Sequence, residues 1–379
     1  NWSFLRAGEV YPGYPKYREL QYGHADGNQW VAAECDVSIR PGWFYHPEED
    51  NRVKTVEQLT DLYYRSVGHN ATLLLNFPVD RNGLIHPVDS ANAVDFHKNI
   101  QKQLAHNLLS GVVAEVSDER GGKYTAKAMT DNDYDTYWAT NDGVVSATVE
   151  FDLPQQEKVN RMMLQEYIPL GQRVKSFVVE YNKDGQWLPV KLNEETTTVG
   201  YKRLLRFETV TTDKLRVNFT DARACLCINN VEAYYAGETA DVSFDNTVAD
   251  IKSYPFTLVG VDEAEAKKCA DKDDTTTCFV DGNTVVVDLG EEQTVASFHY
   301  LPDQSEYNKG LISGYEISVG TDANAINNVV TKGEFSNIKH NPILQSVYFT
   351  PVKARYVMLK AVKMVNEGET MGFAEIGIR

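Results

Sequence analysis

The sequence predicts a multidomain chain: a β/α segment over residues 1–107, then two β-sandwiches over 108–238 and 239–379. Three observations predict it. The first segment alternates patterns in the order strand, helix, strand, helix, which is the arithmetic of a parallel sheet flanked by helices, Rossmann-like or a TIM barrel. Residues 108–238 instead hold about seven short strand patterns separated by turn residues, the signature of a sandwich. The remaining residues repeat that second segment block by block.

In chain order, Trp30 to Cys35 reads as a short apolar strand with Glu34 near its end. Thr55 to Val67 reads as a helix: Thr55 is a candidate N-cap with Gln58 at the capping-box position, and Gly68 stops it. Val56, Leu59, Leu62 and Val67 share its apolar face. Ala71 to Phe77 is a nearly continuous apolar run, the kind buried on both faces of a parallel sheet, and Pro78 ends it. Ser90 to about Leu108 reads as a second helix, with Ala93, Phe96, Ile100 and Leu104 at helical spacing. Short strands are then expected within 146–153, 160–166, 176–181, 186–190, 204–207, 214–219 and 229–235.

The repeat is visible in four blocks. Residues 146–167 line up with 283–304, 172–182 with 309–320, 204–219 with 346–361, and 228–234 with 373–379. The boundary between the two copies falls near Gly237-Glu238.

Composition narrows the function. The 379 residues are 42% hydrophobic, 24% charged and 11% aromatic, which suits a globular protein and excludes intrinsic disorder. No apolar run is long enough for a transmembrane helix. A net charge of −17 argues against nucleic acid and anionic membrane surfaces as partners and favours a neutral polar ligand such as a sugar. The chain opens at Asn1-Trp2-Ser3-Phe4 with neither Met nor a basic, apolar leader, so the expectation is a removed signal peptide or an origin in a longer polypeptide. Five cysteines do not make a disulfide scaffold. Cys225 and Cys227 are too close in sequence for a favourable bond within one strand, whereas Cys269 and Cys278 flank a polar turn and either pair or serve as small buried thiols.

The densest chemical constellation is WVAAECDVSIRPGWFYHPEED, Trp30 to Asp50. Glu34 closes an apolar strand, and in parallel α/β folds the C-terminal strand ends carry the site. Asp36, Arg40, Trp43, Tyr45 and His46 follow closely. One reading is a strand-end ion pair and a solvated loop. The other is a general acid beside aromatic rings, where desolvation keeps the carboxyl protonated and a sugar ring stacks. His24, His46, His69, His86, His97 and His106 show no zinc-ligand spacing.

AECDVSIRPGWFYHPEED, followed by SVGHNATLLLNFPVDRNGLI, resembles the end of the catalytic domain of glycoside hydrolase family 29, the α-L-fucosidases. DVSIRPGWFYH is similar to the subgroup that prefers α-1,3/1,4-linked fucose on branched, Lewis-type glycans. The resemblance implies the last βα units of a (β/α)8-like barrel and a retaining mechanism with an Asp nucleophile and a Glu acid/base. Glu34 matches that acid/base, Trp43 and Tyr45 would flank the sugar, and His46 would hydrogen-bond a hydroxyl. The family's nucleophile lies upstream in a Trp-Phe-Asp-Gly segment, which is absent before Glu34; Phe279-Val280-Asp281-Gly282 stands in the wrong module. Two βα units cannot close a barrel, so another chain or an additional segment is expected to complete it. The substrate class implies a secreted or periplasmic protein. The competing reading is a non-catalytic carbohydrate-binding fragment.

In the first sandwich, KAMTDNDYDTYWAT places Asp131, Asp133, Asp135 and Thr136 in one tight turn before Trp138, a cluster that suits Ca²⁺ or is simply a solvated acidic turn. It resembles the A-x-D-G-x-x-x-T-x-W turn of discoidin-like modules (coagulation factor type C, family 32 carbohydrate-binding modules), implying a jelly-roll sandwich with a structural Ca²⁺. That ion also meets a Glu near the module's end, a position held here by Asn230, with Glu232 two on. The second module has Asp271, Asp273, Asp274 and Thr277, a spacing shifted by one, with Phe279 replacing Trp and Glu375 at the C-terminal ligand position. The expected metal set is therefore Asp131, Asp133, Thr136, Asn230 and Glu375, with no cofactor for catalysis. Tyr167, Trp187, Tyr201 and Tyr307 are candidate sugar contacts, or core and spacer residues.

Overall fold

The strand Ala33–Ser38 runs parallel to Ala71–Asn76, with Glu34 opposite Thr72 and Ser38 opposite Asn76. This is a computed structural model, and it describes residues 1–10, 19, 22–192, 194, 196–237, 251–305, 307–335, 338–339 and 342–379. Two helices, Val56–Ser66 and Pro87–Gln103, cover one face of the strand pair. Ile39, Val53 and Leu59 are buried there, with Leu62, Leu75, Phe77 and Phe96 packed around them. Both halves of the Thr55–Gln58 capping box form, so the first helix begins where the sequence places it. The second starts earlier than Ser90 because Pro87 fits the first turn, and it ends at Gln103 rather than Leu108.

Two expectations are corrected. The strand is not Trp30–Cys35: Gln29–Trp30 pairs antiparallel with Phe4–Leu5, where Trp30 meets Phe4 edge-on at 5.2 Å, and the parallel pairing begins only at Ala33. Nor is the Ala71–Asn76 strand buried on both faces, since Leu74 is 50% exposed. With helices on one side only, the opposite face of the pair presents Glu34, Asp36, Thr72 and Leu74.

The first sandwich follows. Its strands are ordered Trp138–Ala139, Cys227–Tyr234, Ala147–Glu166, Arg203–Ala222, Val174–Lys183, Gln186–Pro189, all antiparallel. Strands expected as separate pieces merge into two of 20 residues each, Ala147–Glu166 and Arg203–Ala222. Register shifts after Arg206 and after Thr212 let them turn corners without breaking. Trp138, Phe151, Phe177, Leu215 and Phe219 lie in one buried core.

In the second sandwich, Thr284–Leu301 pairs with Gln345–Met364 as Ala147–Glu166 pairs with Arg203–Ala222. Ile312–Gly320 and Glu375–Ile378 then take the places of Val174–Lys183 and Cys227–Tyr234. The sequence repeat is thus a repeat of topology. Cys269 and Cys278 are free thiols buried in this core.

Asn1–Val10 and the described residues between 22 and 237 make one compact unit, and residue 19 with those from 251 onward makes a second. The expected division near Gly237-Glu238 runs into residues outside those described. Packing crosses the expected division at 107: Tyr64 joins Met163, Leu204 and Tyr234 in one cluster, flanked by Tyr63, Ile100 and Leu104. Arg161 and Arg206 lie over the Tyr64 ring at 5.4 and 4.4 Å, and Arg161 Nε donates to its hydroxyl at 3.1 Å.

Candidate functional site

At the C-terminal end of the parallel pair, the chain leaves Ser38 through Ile39 and Arg40 into the segment that carries Trp43, Tyr45 and His46. Arg40 is its anchor. Its fully buried guanidinium makes a two-pronged bond to the equally buried Asp89, Nε to Oδ2 at 2.7 Å and Nη2 to Oδ1 at 2.8 Å. Nη2 also lies 2.9 Å from Asp50 Oδ1, and Nη1 donates to the His46 carbonyl at 3.3 Å. The Tyr45 ring sits 4.6 Å from this cation, and its hydroxyl donates to Asp50 Oδ2 at 3.4 Å. Asn76 Nδ2 holds the Trp43 carbonyl at 2.9 Å and Ser38 Oγ at 3.1 Å. Tyr45 is therefore half-buried in the loop's foundation, while Trp43 and Phe44 are 45% and 75% exposed. Asp89 and Phe44 are not marked out by the sequence. A lone Asp in a helix's first turn carries no signal of a partner 49 residues away.

Glu34 is the second residue of its strand, not the last. Its side chain is exposed on the helix-free face, two residues before Asp36 on the same face. Ser38 is four positions further on, about 13 Å along a strand. The sequence puts it at the strand end because the apolar run before it reads as the strand.

The two acidic turns differ at their centres. In the first, Asp131 Oδ1 accepts from the Asp133 backbone N–H at 2.9 Å and Asp131 Oδ2 from Thr136 Oγ1 at 2.8 Å. The Asn229 amide donates to the carbonyls of Asp133, Tyr134 and Thr136 at 3.2, 3.2 and 2.8 Å. Donor hydrogens fill the position from which those oxygens would hold a cation, so this turn does not fit Ca²⁺. Asn230, the expected ligand, faces elsewhere, donating to Gln165 and Glu232. A register shift between Ile228 and Asn230 turns Asn229 inward instead.

The second turn keeps the first turn's spacing, not a shifted one. Thr276 is the counterpart of Thr136, its Oγ1 lying 2.9 Å from Asp271 Oδ2, 3.1 Å from the Lys268 carbonyl and 3.2 Å from the Asp273 carbonyl. Thr277 bonds Asp303 instead, at 2.7 Å. Glu375 is fully buried against this turn. Its Oε1 accepts from the Lys272 N–H, and its Oε2 has no partner among the described residues. Burial pushes this carboxyl up to about 7, with Asp271 adding to the effect. An orphaned buried carboxylate oxygen beside a turn that offers hydroxyl, carboxylate and carbonyl oxygens is a donor set that fits Ca²⁺. No three His, Cys, Asp or Glu side chains converge as a metal cluster among the described residues, so carbonyl and hydroxyl oxygens would supply most ligands.

Among the candidate sugar contacts, Tyr167 stacks on Tyr137 at 4.2 Å and Trp187 lies under Arg216 at 4.3 Å, whereas Tyr201 and Tyr307 are 53% and 57% exposed.

A model of the F5/8 type C domain matches this chain twice, over residues 113–229 and 262–376. The chain belongs to the F5/8 type C domain family. Both F5/8 type C modules coincide with the two sandwiches. The chain is 37% identical over 228 residues to a rice (Oryza sativa subsp. japonica) protein whose name places it among the α-L-fucosidases, covering 59% of this chain and 42% of that protein. A glycoside hydrolase 29 family member from an unknown rumen bacterium matches all of this chain over 59% of its own length, at 31% identity and a TM-score of 0.53. A Ruminococcus gnavus family 29 fucosidase, solved in complex with fucose, matches 57% of this chain and 43% of its own at 35% identity and a TM-score of 0.52. The chain thus spans less than two thirds of the length of these relatives.

Proposed function

We propose that this chain is the C-terminal part of a retaining α-L-fucosidase that releases terminal α-1,3/1,4-linked fucose from branched glycans in a secreted or periplasmic setting. The observation that carries the reading is the Arg40-anchored loop, which offers Trp43 and Phe44 as apolar faces at the C-terminal end of a parallel β/α pair. Similarity to proteins named as fucosidases, one of them bound to fucose, supports the substrate class. A preceding segment completes the barrel over the face that carries Glu34, Asp36 and Leu74, and it supplies the Asp nucleophile.

Glu34 is the general acid/base. It protonates the glycosidic oxygen as the nucleophile attacks the anomeric carbon, then takes a proton from the water that frees fucose. Its position along the strand requires the glycosidic oxygen to sit inside the barrel lumen, below the Trp43 level. Trp43 flanks the ring and His46 meets a hydroxyl, with Tyr45 setting their height.

The test is fucose release by the full-length protein, by this chain alone and by Glu34→Gln and Asp36→Asn variants. Glu34→Gln is expected to abolish release from a Lewis-type trisaccharide while sparing an aryl fucoside with an acidic leaving group. Equal loss on both substrates removes Glu34 from the acid/base role, and the differential pattern in Asp36→Asn would transfer it there. A full-length protein that binds fucosylated glycan without releasing fucose would favour the binding reading. We also propose that the second module, not the first, holds a structural Ca²⁺ through Glu375, Asp271 and Thr276.

A further inference from the structure

Cys225 and Cys227 are separated by one residue, yet their sulfurs converge. Cys225 lies in the bend before the strand Cys227–Tyr234, so the two do not share an extended strand. Leu226 between them is fully buried, its N–H bonded to Thr140 Oγ1 at 2.9 Å, and both cysteines turn the other way. A single guanidinium nitrogen, Arg173 Nη1, lies 3.0 Å from Cys225 Sγ, 3.3 Å from Cys227 Sγ and 2.8 Å from the Cys225 carbonyl. Arg120 Nη2 reaches Cys225 Sγ at 3.4 Å. Cys225 is half-buried and Cys227 buried. A partly exposed thiol beside the Arg173 guanidinium, with Arg120 reaching it from an ion pair with Asp142 and a second thiol against it, is the arrangement of a reactive cysteine and its resolving partner.

We propose that Cys225 and Cys227 form a reversible dithiol–disulfide site that reacts with small-molecule disulfides such as oxidised glutathione. The Cys225 thiolate attacks one glutathione sulfur; that S–S bond breaks and one glutathione thiolate leaves, taking a proton from solvent. Cys227 then gives its proton to solvent and its sulfur attacks Cys225 Sγ. The mixed S–S bond breaks and the second glutathione leaves and is protonated. Two protein thiols are oxidised and one glutathione disulfide is reduced to two thiols.

Cys225 is the attacking sulfur because burial pushes the Cys227 thiol up to about 11, against the pull of Arg173. The same segment holds the strand ribbon ahead of Glu34. Arg223 donates its backbone N–H to the Arg173 carbonyl at 2.7 Å, lies over the Phe4 ring at 4.5 Å and donates to the Gly27 carbonyl at 3.4 Å.

The experiment is peptide mapping by mass of the wild-type chain, incubated with mixtures of oxidised and reduced glutathione and quenched with acid. The peptide holding both cysteines is expected to lose two hydrogens and to regain them in excess reduced glutathione. Cys225 should react about tenfold or more faster than Cys35, a half-buried thiol that burial pushes up and that serves as the internal comparison. Cys227→Ser should stop at a single glutathione adduct on Cys225. A wild-type adduct that never resolves to the internal disulfide overturns the proposal, as does Cys225 reacting no faster than Cys35. Both of these readouts come from the unmutated protein, so they stand even where the Cys227→Ser variant fails to fold.

Discussion

The substitution Asp89→Asn should destabilise the first compact unit more than any surface change. Arg40 and Asp89 both have 0% side-chain exposure, and their two bonds are 2.7 and 2.8 Å long. Removing one member of a buried pair leaves the other charge uncompensated, at a cost of about 3–5 kcal/mol. Asp50 remains 2.9 Å from Arg40 Nη2 but is 35% exposed, so it screens only part of the loss. The lower end, about 3 kcal/mol, is expected for Asp89→Asn. In a unit of this size that lowers the melting temperature by roughly 6–12 °C. Scanning calorimetry reads it directly, because the second unit's transition should not move. Arg40→Met with Asp89→Leu, which fills the space with apolar groups and leaves only the partly solvated Asp50 carboxylate without its Arg40 partner, should recover most of the loss and give a coupling of at least about 2 kcal/mol between the sites. A cost below about 1 kcal/mol for Asp89→Asn, or strict additivity in the cycle, would refute the assignment of Arg40 as the loop's anchor.

Two further outcomes are expected. Ca²⁺ should raise the second unit's melting temperature, by about 2.7 kcal/mol of stabilisation at a hundred times its dissociation constant, and leave the first unit's unchanged; Glu375→Gln should abolish the rise, and an equal response of both units would contradict the reading of the Asn229 amide. Glu166 is buried, and desolvation pushes its carboxyl from 4.5 up to about 7 against three backbone N–H donors, those of Arg173, Val174 and Gly200. The native state then holds a proton that the unfolded chain releases between those values, so the first unit's stability falls as pH rises across that window, by at most about 1.4 kcal/mol per pH unit; denaturant titrations of Glu166→Gln should lack that slope, and an unchanged slope counts against it.

Features that depend on local pattern alone were readable from the amino-acid order. The Thr55 capping box needs only residues three apart, and it forms as read. The repeat of Ala147–Glu166 and Arg203–Ala222 in Thr284–Leu301 and Gln345–Met364 follows from alternation, which survives divergence because each inward side chain must be apolar. Tertiary structure decided everything that rests on register or on distant partners. The parallel pairing with Ala71–Asn76 moved the first strand from Trp30 to Ala33 and with it Glu34 from the strand's end to its beginning. A bulge before Asn230 gave the acidic turn an amide in place of an oxygen ligand. A bend before Cys227 brought together two sulfurs that a straight strand would have kept apart. Burial of Arg40 with Asp89 is invisible in sequence because the two lie 49 residues apart and are neighbours only once helix Pro87–Gln103 packs onto the strand pair.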